Sequence, residues 1–390
     1  MLPEYRNNKI TYVRESYFNN WTYISKDFFN INKEQWYHFI QTKLWVINNS
    51  ILKKAVFALL TKDRQSLRRI WITKEMEDVL LFTFQKQAPK NYSDVVLAYY
   101  WRYDLLLDTN NELKIVEINS ETPAGFPESS HNSIILKHSW KENVYEDSNF
   151  YIVDNVRNSL QGFIEKNYEN VRNWRNKLLF TYLPAMWDEL EVVDNNGSLE
   201  VVWNYDDDYT CSLHMASMLY DILTPEGYEV KLGEIDDLEV REDGLYFNGE
   251  KQDYIYSFYP LEWIFDDNWA ADFWNLYKNN CFEIVNNPLN LITQTKWIWA
   301  YIHEDIKNKN IIWLTEEEQR IFLELVPEYT FSIEEGEEDK YISKPFFFRE
   351  WVWINNKDYA KEFPENVCYQ KKIEQISTLI ILSMLLILTK

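Results

Sequence analysis

Glycine is scarce in this sequence: 8 of 390 residues, where an ordinary chain has roughly 7%. That excludes a collagen-like chain and glycine linkers, and it argues against a fold built on several glycine-rich phosphate loops. Cysteine is also rare. Cys211, Cys281 and Cys368 stand far apart, with no Cys-x-x-Cys pair, so neither a zinc cluster nor a disulfide framework can be read. Free thiols in a reducing cytoplasm fit that usage. Positive charge is in deficit, 40 Lys and Arg against 62 Asp and Glu, a net charge of −22. Such an acidic surface repels nucleic acid and anionic membranes and argues against general binding to either, while leaving room for one local basic pocket. The first ten residues, MLPEYRNNKI, contain no apolar segment of the kind a signal peptide needs.

The one long apolar run lies at the other end. Residues 376–388 read ISTLIILSMLLIL, shorter than the roughly 17–25 residues of a membrane-spanning helix. Three readings are open: a buried terminal helix or strand, a tail anchor, or an altered end in place of a longer natural one.

Aromatic residues are plentiful, at 17% with 17 Trp, and the 46% hydrophobic and 26% charged content is globular. The length suggests two or three lobes. No internal repeat is visible. Residues 1–90 read as mainly helical, with long aromatic-rich stretches such as 33–60. From residue 94 the texture turns to strands and polar turns. A strand is expected at 199–203, a helix at 210–223 stopped by Pro225 and Gly227, and short strands across 229–259 separated by EDG and NGE turns. Residues 288–304 read as one helix. Thr315 and Glu318 have capping-box spacing for a helix that stops before Pro327. The acidic run 334–339 is a solvated loop, and 341–354 reads as strand with a turn in it. Helix and strand are mixed throughout, so the fold class is α/β (mixed α+β). The expected organisation is a helical region 1–90, a core 91–375 and the apolar tail 376–390.

The segment Tyr99–Ser120, YYWRYDLLLDTNNELKIVEINS, holds the chemistry. Two apolar-rich runs flank Asn110-Asn111, residues that tolerate a tight turn. With the turn centred between them, Arg102 faces Asn119 and Asp104 faces Glu117, all on one face. Two carboxylates opposite each other are destabilising unless a cation neutralises them. A hard divalent ion such as Mg²⁺ would do so, held by Asp104, Glu117 and the Asn119 amide oxygen. Arg102 beside them suits bidentate recognition of a carboxylate or phosphate. The alternative is an exposed polar face on which Arg102 pairs with one acid.

These residues also bear a family resemblance. RYDLLLDTNNELKIVEINSETP resembles the glutathionylspermidine synthase family of ATP-grasp ligases, in which an Arg-aromatic-Asp strand precedes a strand ending Glu-x-Asn and then Thr-Pro. FYPLEW (Phe258–Trp263), QTKWIWAYI (Gln294–Ile302) and KPFFFRE (Lys344–Glu350) resemble its later motifs, in the same order. The resemblance covers about residues 15–375. It implies an ATP-grasp fold and an ADP-forming ligase joining a carboxylate to an amine. It also implies that Arg102 contacts the acyl substrate, that Asp104, Glu117 and Asn119 hold Mg²⁺, and that Lys296 and Lys344 touch ATP. Small-molecule acid and amine substrates follow from it. By themselves, Lys296 reads equally as a surface lysine in an aromatic helix and Lys344 as the flank of a strand. Asp206, Asp207 and Asp208 read either as an amine contact or as a helix cap, and Glu262 is similarly open. The five histidines show no metal spacing.

Three departures from the family are visible. Its glycines after Lys-Pro are replaced by Phe346, Phe347 and Phe348, which implies a loop held away from the nucleotide or a different lid. Ser120 and Glu121 replace Ala and Asp. The family's later strands, with a Gln-rich segment and a Gly-x-Arg-Glu motif, are not found after Cys368, which points to an altered end. A non-catalytic relative that binds ligand or metal without turnover is the rival expectation.

Overall fold

The computed structural model describes residues 33–70, 72–97, 100–123, 177–184, 187–193, 199–205, 207–224, 229–347, 357–373 and 382–387. Two compact units divide the chain. One comprises Phe29–Glu121 and Asn287–Leu386; the other is built on Thr122–Asn286.

The first unit opens with a long helix, α1 (residues 33–61), which contains wide π-type turns at Phe39–Leu44 and Ile47–Leu52. Leu44, Ile47, Ile51, Leu52, Ala55, Val56 and Leu59 recur at helical spacing and are wholly buried. The part Phe39–Thr61 is long and apolar enough to cross a membrane, but its buried face makes it a core helix of this unit. Helix α2 (Lys74–Gln87) follows, with the Thr73 hydroxyl accepting from the Met76 amide as its N-cap. Strands β1 (Tyr100–Leu107) and β2 (Leu113–Asn119) then form an antiparallel hairpin. Buried Tyr103 donates its hydroxyl proton to Asn48 and so ties β1 to α1. The described helices of residues 33–87 therefore share a core with the hairpin.

The second unit is built on a four-stranded parallel sheet. It uses β3 (Lys177–Tyr182), then the hairpin β4 (Trp187–Val193) and β5 (Leu199–Tyr205), then helix α3 (Asp207–Leu223), which packs on β3 and on β6 (Glu229–Glu234). A three-stranded meander follows: β7 (Leu238–Arg241), β8 (Gly244–Phe247) and β9 (Glu250–Gln252). Its second turn is the expected Asn-Gly pair, with Asn248 and Gly249 both at positive φ. Gly233 is required for another reason, since a Cβ there would lie 2.2 Å from the Phe247 ring. Strand β10 (Tyr254–Ser257), helices α4 (Leu261–Ile264) and α5 (Ala270–Lys278), and β11 (Glu283–Ile284) complete the unit, and the sheet order is β11-β10-β3-β6.

The chain then returns to the first unit through α6 (Asn290–Gln294), α7 (Trp297–Glu304) and α8 (Glu316–Leu325). Helix α8 begins with the expected capping box: Thr315 accepts from the Glu318 amide and Glu318 accepts from the Thr315 amide. Glu318 also pairs with Lys54 at 2.7 Å, fixing α8 to α1. A small antiparallel sheet orders β12 (Tyr329–Thr330), β14 (Val367–Lys371) and β13 (Tyr341–Pro345), with helix α9 (Lys357–Glu362) between β13 and β14. Within the apolar tail, β15 (Leu382–Ile387) pairs with β1 at the edge of the hairpin sheet. The fold class is mixed α/β, as the mixture of helical and strand segments implied.

Candidate functional site

Arg102 pairs with Asn119 and Asp104 with Glu117 across β1 and β2, the register expected from the sequence. The route to it differs. The turn is one residue tighter: Leu107 pairs with Leu113, Asn111 takes positive φ, and the Asp108 carboxylate accepts from the amides of Asn110 and Glu112. A bulge then shifts the register between Asp104 and Leu105, so that Val116 has no opposite residue. The two offsets cancel at the four functional positions.

On this face Arg102 donates Nε to Asp104 Oδ1 at 2.9 Å and a terminal nitrogen to Oδ2 at 3.2 Å. Asn119 Nδ2 donates to Asp104 Oδ2 at 3.4 Å. Glu117 Oε1 accepts from Lys296 Nζ at 2.8 Å. The facing carboxylates are thus each held by a cation of the chain itself. The ion pair of the exposed-face alternative exists, but the face is not exposed: the side chains of Asp104 and Glu117 are 14% and 12% accessible and Lys296 only 3%.

Lys296 corrects an expectation. It does not lie within one helix over 288–304, because the helix breaks at Thr295, whose ψ of 142° is extended. The Lys296 amide bonds instead to Phe346 O at 3.1 Å. The break delivers Gln294 and Lys296 to the hairpin. Gln294 Oε1 accepts from the amides of Ser120 (2.9 Å) and Glu121 (3.3 Å), and the hydroxyls of Ser120 and Thr293 lie 2.8 Å apart.

Lys344 reaches the same hairpin from β13 and is buried. Its Nζ donates to Val116 O at 3.0 Å, and the Tyr329 hydroxyl donates to the same carbonyl at 2.8 Å. The bulge thus presents a carbonyl that the ladder does not use, and a buried ammonium takes it. Burial depresses the Lys344 pKa to about 8, with the Lys296 charge adding to the effect and Glu117 opposing it. Burial alone would raise the Glu117 carboxyl, but the charges of Lys296 and Lys344 outweigh it and hold the group below its usual range. Sequence reading missed Val116, Tyr329 and the part played by Gln294. A bulge is signalled only by the adjacent apolar pair Ile115-Val116, which breaks strand alternation.

The structure therefore brings Arg102, Asp104, Glu117, Asn119, Lys296 and Lys344 together around one hairpin in one unit. Two carboxylates and an amide oxygen are the hard oxygen donors that suit Mg²⁺, an ion that keeps sites open for phosphate and water. Among the described residues no group of three or more His, Cys, Asp or Glu could hold a metal ion by itself. Arg349 and Glu350 lie outside the described residues, as does Asp206. Helix α3 starts at Asp207, and Glu262 is buried in α4 of the other unit.

A mixed α/β chain with facing acids and flanking lysines on a hairpin fits an ATP-grasp-related ligase family, and it is the family match that supplies that class. The family model for the glutathionylspermidine synthase preATP-grasp region matches residues 21–375, and the chain belongs to that family. Among solved structures it is similar to a glutathione synthetase-like effector from Globodera pallida in its apo form. That likeness covers 86% of this chain and 74% of that one at 10% identity, with a TM-score of 0.44. No curated protein sequence matches the chain.

Proposed function

We propose that the protein is an ATP- and Mg²⁺-dependent ligase that joins a carboxylate, such as that of a peptide or an amino acid, to an amine through an acyl phosphate. The observation that supports this reading is the gathering of Arg102, Asp104, Glu117, Asn119 and Lys296 on one hairpin face in a member of this family. A carboxylate is a poor electrophile until phosphorylated. Phosphoryl transfer depends on positioning and on neutralising charge spread over the phosphate oxygens. Mg²⁺, held by Asp104, Glu117 and Asn119, would supply part of that neutralisation. Arg102 has the planar fork that suits the acyl carboxylate and the phosphate it acquires. Lys296, already 2.8 Å from Glu117, is placed to exchange that carboxylate for a phosphate oxygen. Lys344 fixes the bulge and adds positive charge behind Glu117. The free thiols Cys281 and Cys368 support a cytoplasmic location.

Thermal unfolding with Mg²⁺, ATP and both tests the site. A ligand at 100 times its dissociation constant adds about 2.7 kcal/mol, a shift of several degrees for units of this size. Stabilisation by Mg²⁺ and ATP together, lost in Glu117→Gln, is the expected result; no shift in the wild type refutes the site. ADP release that requires both an acid and an amine marks the ligase. Nucleotide binding without such release would identify a non-catalytic relative.

A further inference from the structure

The row of amides that ends at Asp104 has a direction. Ser120 and Glu121 present backbone N–H groups to the Gln294 side chain. An N–H can only donate, so the atom facing them is Oε1. Nε2 then faces Asn119 Oδ1, 3.4 Å away, and Asn119 turns Nδ2 to Asp104 Oδ2 at 3.4 Å. An ionised carboxylate only accepts, so both ends of the row demand the same orientation of the two amides.

We propose that Gln294 is a positioning residue for the metal–nucleotide site. Two backbone amides fix its side chain, and its Nε2, together with Asp104 at the other end of the row, fixes which end of the Asn119 amide is the oxygen. This rests on the reading that Asp104, Glu117 and Asn119 hold Mg²⁺. A carbonyl oxygen has two lone pairs: one accepts from Gln294 and the other is left for the cation. Without that donor only the 3.4 Å contact to Asp104 Oδ2 holds the Asn119 amide, and that contact is weakened once Asp104 engages a cation, so the amide turns more readily to offer an NH₂ group, which is no ligand. Gln294 is 3% exposed and acts through Asn119 rather than on a substrate. Its position follows from the break at Thr295, which ends α6 at the hairpin.

The test uses the full chain, with Mn²⁺ and ATP as the probe, titrated by the electron paramagnetic resonance of Mn²⁺. Gln294→Met removes the donor. Loss of a partner behind a metal ligand typically costs 10–100-fold in affinity, and that weakening is expected. Asn119→Asp supplies the discriminating background, because a carboxylate presents an oxygen whichever way it turns. There Gln294→Met is expected to cost less than about 3-fold. Were Gln294 only pinning the Ser120–Glu121 backbone, its loss would cost the same in both backgrounds. That result, or wild-type affinity in Gln294→Met, overturns the proposal. Melting of each variant without ligand reports any fold defect separately. Glu117→Gln tells the two failures apart. If it abolishes binding while Gln294→Met does not, only the positioning role falls. If Glu117→Gln binds as the wild type does, or the wild type binds no Mn²⁺ with ATP, the metal site falls and this role with it.

Discussion

Buried His303 makes the unit that holds the site less stable in acid. It lies near the end of α7, 3% exposed, with Nε2 2.9 Å from Pro327 O, so the neutral ring carries its proton on Nε2. Its ring lies 4.9 Å from Phe322 and 6.5 Å from Tyr329, the residue that holds the bulge carbonyl. Burial lowers its pKa from the ordinary 6.5 to about 4. The Pro327 carbonyl opposes that shift, nearby Lys307 reinforces it and Glu328 resists it. Between those two values the unfolded chain binds a proton that the folded chain does not. Stability therefore rises with pH across this window. The contribution is full above about pH 6.5 and is lost as the pH falls toward 4. Linkage puts the loss at about 2 kcal/mol by pH 5 and about 3 kcal/mol at completion. His303→Gln keeps a donor for Pro327 O and has nothing to titrate. With two compact units, a single melting point would mix their transitions. Urea unfolding read by hydrogen exchange over residues 297–304 isolates the relevant one. Depressed carboxylates such as Glu318 and Glu328 also weaken folding in acid, but they do so in both proteins. The difference between wild type and variant is expected to change by about 2 kcal/mol between pH 7.5 and pH 5. Parallel pH profiles would refute a neutral, buried His303.

Two further substitutions test the supports of the hairpin. Lys296→Met leaves the Glu117 carboxylate without its 2.8 Å partner and is expected to cost about 3 kcal/mol, much of which returns when Glu117→Gln is added; a double-mutant cycle by urea unfolding measures the coupling. Tyr329→Phe removes one of two donors to Val116 O and is expected to cost about 1 kcal/mol in the same assay, since Lys344 still reaches that carbonyl.

The hairpin register was legible because the four polar residues alternate with apolar ones, and alternation fixes which residues share a face. How the register arises was not. A turn one residue tighter and a bulge at Val116 have opposite effects, so a wrong turn and a missing bulge predict the same pairing of Asp104 with Glu117. Helix α8 was legible from its cap, since Thr315 and Glu318 act within one turn. The break at Thr295 was not, because apolar spacing continues through it from Leu291 to Trp297. What breaks the helix is distant: the hairpin end that takes Gln294 and the Phe346 carbonyl that takes the Lys296 amide.

The same distinction explains the lysines. The hairpin places two acids face to face, and that pairing alone calls for positive charge nearby. It does not say whose. Lys296 and Lys344 arrive from segments about 180 and 230 residues away, one at a helix break and the other through a strand, and neither position is marked locally. Their roles then differ by geometry. Lys296 binds a carboxylate, a partner it can exchange for phosphate, whereas Lys344 binds a backbone carbonyl, and giving that up would leave Val116 O with one donor fewer. Substitution at Lys296 should therefore register mainly in nucleotide binding and in the Glu117 coupling. Substitution at Lys344 should register in the shape of the bulge that sets Glu117 opposite Asp104.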